Sequence, residues 1–126
     1  VLIIVLVLVN TAVLGPPVFL PVITGQSMLP RPGWLVDWWN GIPGAVSLIT
    51  ALLVIEFAAY WRHRFEHARA LWPIHATHHA DEAMTWLSVR RKHPLGELLS
   101  VLIDTTPVIL LGLPVWAIAA AALIRG

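Results

Sequence analysis

The chain has 126 residues, 58% hydrophobic and 12% charged, with six histidines and a formal net charge of +1. Soluble domains carry about 25% charged residues, so this composition excludes an ordinary soluble enzyme and indicates one integral membrane domain over 1–126. There is no cysteine, which excludes disulfides, thiolate metal sites, iron–sulfur clusters and cysteine nucleophiles; no nucleic-acid partner is expected.

Residues 1–14 (VLIIVLVLVNTAVL) form an apolar run of about 21 Å as a helix, short of the roughly 30 Å hydrocarbon core. Pro16, Pro17 and Pro21 then oppose a continuous helix. The run is expected to be a membrane helix that begins before Val1. Residues 24–44 are a connection rich in glycine and proline, and Trp34, Trp38 and Trp39 suit a membrane–water interface. Ser27-Met28-Leu29-Pro30 superficially matches a signal-peptidase nucleophile motif. That chemistry needs a lysine base, and Lys92 lies beyond the next span, so the match is read as chance.

Residues 42–61 make a full-length second span. Glu56, Tyr60, His63 and His67 follow at spacings of 4, 3 and 4, one stripe of a helix. Glu56 is expected to face the bundle interior, as intramembrane acids generally do, and with Tyr60 to tune the site or line a substrate cavity.

All six histidines fall between His63 and His93, five of them within His63–His79. His63 and His67 are one turn apart. His75, His78 and His79 would share one face if helical. Neutral imidazole is the commonest ligand for borderline transition metals, and such a concentration outweighs the alternative of a solvated face. Arg62, Arg64, Arg69, Arg90, Arg91 and Lys92 follow the second span, against Arg31 on the opposite connection. The positive-inside rule therefore places the metal site on the cytoplasmic face, with Trp61, Trp72 and Trp86 at the inner interface.

Residues 98–124 are apolar but broken by Pro107, Gly112 and Pro114. They are either one kinked span or a hairpin turning at Gly112-Leu113-Pro114, and Asp104 within them is either a cavity residue or interfacial. The expected fold class is an all-α integral membrane protein with three to four transmembrane helices and a cytoplasmic histidine-rich helical cap.

Residues 56–95 resemble the fatty acid hydroxylase/sterol desaturase superfamily of membrane-bound enzymes. The correspondence runs through Glu56, Tyr60-Trp61, His63-Arg64, His67, Leu71-Trp72, His75-Ala76-Thr77-His78-His79-Ala80-Asp81 and Arg91-Lys92-His93-Pro94-Leu95. It implies a non-haem di-iron centre that uses O2, and electrons from a separate donor, to hydroxylate or desaturate a lipid drawn from the bilayer. By position, His63, His67, His75, His78 and His79 would be metal ligands in boxes 63–67 and 75–79. His93 would support a ligand or be an additional one. Glu56 stands where the family usually has aspartate, and the family's third histidine box is absent before Gly126. The 126 residues are therefore expected to be a fragment, inactive alone.

Two rival readings stay open. His63-Arg64-Phe65-Glu66-His67 fits the H-x-x-E-H pattern of a membrane zinc protease, with Glu66 as general base. That leaves His75, His78 and His79 unexplained. A non-catalytic haem or metal carrier is the other. On the oxygenase reading, Glu66 sits one position off the ligand stripe and is expected to be replaceable at modest cost.

Overall fold

A computed structural model describes residues 31–80 and 92–125. The apolar segment 1–14, the Ser27–Pro30 motif, Asp81, Trp86, Arg90 and Arg91 lie outside the described residues. Every regular element among those described is helical: α1 (Gly33–Asn40), α2 (Gly44–Glu66), α3 (Trp72–His75), α4 (Pro94–Leu110) and α5 (Val115–Arg125).

Pro32 and Pro43 precede α1 and α2, and their fixed φ near −55° sets the chain up for a helical turn without needing a donor. α1 ends at Gly41, whose N–H reaches back to the Asp37 and Trp38 carbonyls. α2 then runs for 23 residues, roughly 34 Å at 1.5 Å per residue. It is the one helix among the described residues long and apolar enough to cross a membrane; α5 is apolar but short. The expected three to four spans are therefore represented here by one helix of spanning length.

Residues 98–124 form a hairpin rather than one kinked span. α4 stops at Leu110 and the chain reverses through Gly112, which has φ +66°. The Gly112 N–H bonds to the Ile109 carbonyl at 2.9 Å and the Leu113 N–H to that of Val108 at 3.2 Å. This pair of bonds closes a helix with a left-handed residue at its end. The left-handed dihedral favours glycine, and a Cβ on Gly112 would also come within 2.4 Å of Leu35 Cδ2 and displace that side chain. Trp39 of α1 locks the turn, its indole Nε1 donating to the Leu111 carbonyl at 3.0 Å.

The buried face of α2 carries Ser47, Ala51, Ile55, Ala58, Ala59, Arg62 and Glu66. Its small residues allow close helix approach, and Ala51 and Ile55 pack with Val108, Leu113, Ala117, Ile118 and Ala121 of the hairpin. That face is offset by one position from the expected Glu56–Tyr60–His63–His67 stripe. Glu56 does not face the interior: it is exposed and pairs with Arg125 Nε at 2.6 Å. Tyr60 is exposed too, accepting from Arg64 at 3.0 Å. The inward acid of α2 is Glu66.

Candidate metal centre

α2 carries His63 in its last turn and His67 at its C-cap, and the chain then turns sharply. The Leu71 and Trp72 N–H groups bond to the Ala68 carbonyl, and Pro73 stands in the first turn of α3. α3 lasts four residues, so His75 ends a helix while His78 and His79 lie in the turns that follow. The second histidine group is thus not one long helical face. Successive tight turns, including His78 N–H to the His75 carbonyl at 2.8 Å, bring it back over the first group.

The result is a compact set of imidazoles. Nitrogens of His63, His67, His75 and His79 all lie within 4.8 Å of one another. The His63 and His67 Nε2 atoms are 3.2 Å apart, and those of His75 and His79 are 3.0 Å apart. Two donors on one tetrahedral ion sit roughly 3.3 Å apart at typical metal–nitrogen lengths, so each close pair has the spacing of neighbouring ligands on one ion, within a set that is wider as a whole. His78, the fifth expected ligand, is adjacent, its ring 5.8 Å from His63 and 5.5 Å from His75 by centroid. It shares a cavity of about 170 Å³ with His63, Glu66, His75 and His93.

His75 is the buried member of the four, His63 is half-buried, and His67 and His79 are exposed. Burial pushes the His75 imidazole down to about 4, against the opposing pull of the Glu66 carboxylate. It is therefore neutral at physiological pH, the form a metal requires. Trp72 covers the outer side of the cluster, stacked on His79 with ring centroids 5.8 Å apart and 5.6 Å from the His67 ring.

His93 has a different task. It is the N-cap of α4, its Nδ1 accepting the Leu95 N–H at 3.2 Å, with Pro94 in the first turn. A neutral imidazole that accepts at Nδ1 carries its proton on Nε2, so His93 in this arrangement has no free lone pair for a metal.

Behind the histidines lies a charged network that sequence reasoning missed. Arg62 donates to Asp104 of α4 through Nε at 2.8 Å and through Nη2 at 3.2 Å. Its Nη1 meets both Glu66 oxygens at 2.9 Å. Glu66 Oε2 is also 2.9 Å from His75 Nδ1. Arg62, Glu66 and Asp104 are 8%, 6% and 5% exposed. Asp104 is thus a buried counter-ion, with Arg125 at 3.7 Å, and it does not line the histidine cavity. Glu66 was expected to be peripheral to the ligands; instead both of its oxygens are engaged in the interior. The available signal was the i, i+4 pairing of Arg62 with Glu66, one residue before the histidine pair at each position.

Arg62 and Glu66 also divide two spaces. On one side is the histidine cavity. On the other is a groove of about 460 Å³ between α2 and α4, walled by Val54, Phe57, Trp61, Phe65, Leu99 and Ile103.

The sequence profile of the fatty acid hydroxylase family matches residues 48–125, from the second turn of α2 to the end of α5 and across all six histidines. An ornithine lipid hydroxylase, OlsE, of Rhizobium tropici is 31% identical over 78 residues. Those residues are 61% of this chain and 24% of the relative, so the chain matches about a quarter of that relative's length. No solved structure matches. The profile spans more than half of the residues and contains the whole histidine cluster, so the chain belongs to the fatty acid hydroxylase family.

Proposed function

We propose that the protein is a membrane-bound non-haem iron enzyme that hydroxylates a lipid with O2. The observation that carries this reading is the convergence of four imidazole nitrogens within 4.8 Å, with no cysteine thiolate in the chain. Neutral imidazole suits iron among other first-row metals, and the relative's name supplies lipid hydroxylation as the reaction. Iron there would provide what side chains cannot, activation of O2 for insertion of one oxygen atom into an unreactive C–H bond, using electrons from a separate donor. His63, His67, His75 and His79 would hold one iron. A second, completing a di-iron centre, would draw on His78.

The remaining residues serve binding and exclusion. The groove between α2 and α4 is apolar along its length and fits an acyl chain entering from the bilayer. Trp72 keeps water from one side of the cluster. The outward face of α2 presents Ile49, Leu53, Phe57 and Phe65, each more than half exposed. Soluble proteins rarely expose so continuous an apolar surface, whereas a bilayer covers it. On this reading α2 crosses the bilayer with the α4–α5 hairpin packed beside it, and the histidines lie on the cytoplasmic side.

The zinc-protease alternative is disfavoured by the position of Glu66. A general base must present a carboxylate oxygen to metal-bound water, but both oxygens here face Arg62 or His75. The test uses the full protein in membranes supplied with a reductant and isotopically labelled O2, with metal analysis beside lipid mass spectrometry. Iron in the purified protein and label in a lipid are expected, both lost in His63→Ala, His67→Ala, His75→Ala and His79→Ala. Zinc with a peptidase activity abolished by Glu66→Gln would overturn the reading in favour of the protease.

A further inference from the structure

His75 is the buried ligand candidate, so water cannot partner its second nitrogen as it can for the exposed His67 and His79. Its Nε2 faces His79 within the four-nitrogen set, and its Nδ1 meets Glu66 Oε2 at 2.9 Å. An imidazole that ligates through Nε2 must carry its proton on Nδ1. The hydrogen bond made by one ring nitrogen decides which of the two is protonated. A carboxylate can only accept, so Glu66 selects the Nδ1–H tautomer and leaves the Nε2 lone pair for the metal.

We propose that Glu66 is a positioning residue for the metal centre, fixing the tautomer and ring orientation of His75, and that Arg62, anchored on Asp104, holds the Glu66 carboxylate in register. This rests on the metal-centre reading above and deepens it. Three features support a role toward the metal beyond packing. Glu66 is the last residue of α2 and His75 the last of α3, so their hydrogen bond joins the two histidine groups. Arg62 already has a two-point partner in Asp104, so it does not depend on Glu66 alone for a counter-ion. Its Nη1 nevertheless spans both Glu66 oxygens and fixes the carboxylate plane. The Arg62–Asp104 pair also bridges α2 to α4, which ties the orientation of a ligand to the docking of the hairpin.

The experiment reads the tautomer directly. Nitrogen-15 spectra of the histidine side chains are recorded on the full protein in detergent, free of metal, with His75 assigned by its loss in His75→Gln. The Nδ1–H tautomer is expected in the wild type. Glu66→Met, similar in size but unable to accept strongly, is expected to move His75 toward the Nε2–H tautomer. Its affinity for Co2+, measured by chelator competition, is expected to fall about 10–100-fold, as when supporting partners of ligand histidines are lost. A purely structural role for Glu66 would lower the thermal midpoint while leaving the tautomer, and the Co2+ affinity of the folded fraction, unchanged; that result overturns the proposal. So does an Nε2–H tautomer in the wild type, which decides the matter even if Glu66→Met fails to fold. Retained Co2+ affinity in a variant whose tautomer has moved overturns it as well. Failure of the wild type to bind Co2+ sinks the metal-centre reading instead, while the His75 tautomer still reports on Glu66.

Discussion

At the scale of single residues, the histidines divide by which nitrogen is engaged, a distinction invisible in their spacing. His75 is held by Glu66 on one nitrogen and turned toward His79 on the other; His93 spends its Nδ1 on the Leu95 N–H. His93→Ala is therefore expected to leave bound iron unchanged and to cost about 1 kcal/mol of stability through the lost cap. His93→Asn, which can also accept from that N–H, should recover most of it. Thermal midpoints in detergent beside metal analysis check both. Iron lost in His93→Asn would return His93 to the ligand set.

Among the elements, the α4–α5 hairpin places the buried charges. Its turn depends on Gly112, where the left-handed dihedral and the Leu35 contact act together. Gly112→Ala combines a backbone cost of about 1–2 kcal/mol with displacement of Leu35. A lowered thermal midpoint is expected, and unchanged stability would show that the turn relaxes. Legibility from sequence differed sharply between elements here. Pro107, Gly112 and Pro114 marked a central break that made a hairpin attractive but left a kinked span open as well. Sequence placed His75, His78 and His79 on one helical face because i, i+3, i+4 spacing reads that way. Pro73 and the turns after His75 decided otherwise. The cluster forms all the same, because the chain doubles back upon α2.

For the whole molecule, segregated charge governs orientation. Six of the eight basic residues lie between Arg62 and Lys92, just after the apolar core of α2, which predicts that the histidine end is cytoplasmic. The chain has no cysteine, so a single introduced one is a clean reporter. In intact cells, a cysteine at Gly33 is expected to react with membrane-impermeant reagents, and one at Asp81 with permeant reagents alone. The reverse pattern would place the metal centre outside.

The sequence by itself determined the apolar helical character, the long second helix, the histidine concentration and the family, because composition, run length and spacing are local properties of the chain. It could not determine which side of α2 faces inward. Glu56 and Glu66 are ten residues apart and nearly in phase with different stripes, so a shift of one position exchanges an exposed acid for a buried one. The tertiary structure decided that through the small residues Ala51, Ala58 and Ala59, which admit the hairpin on their side. Once that face is chosen, Arg62 and Glu66 go inward with it, and each buried charge requires a partner there. Asp104, forty-two positions along the chain from Arg62, supplies one because the hairpin folds back, a pairing that no local pattern encodes.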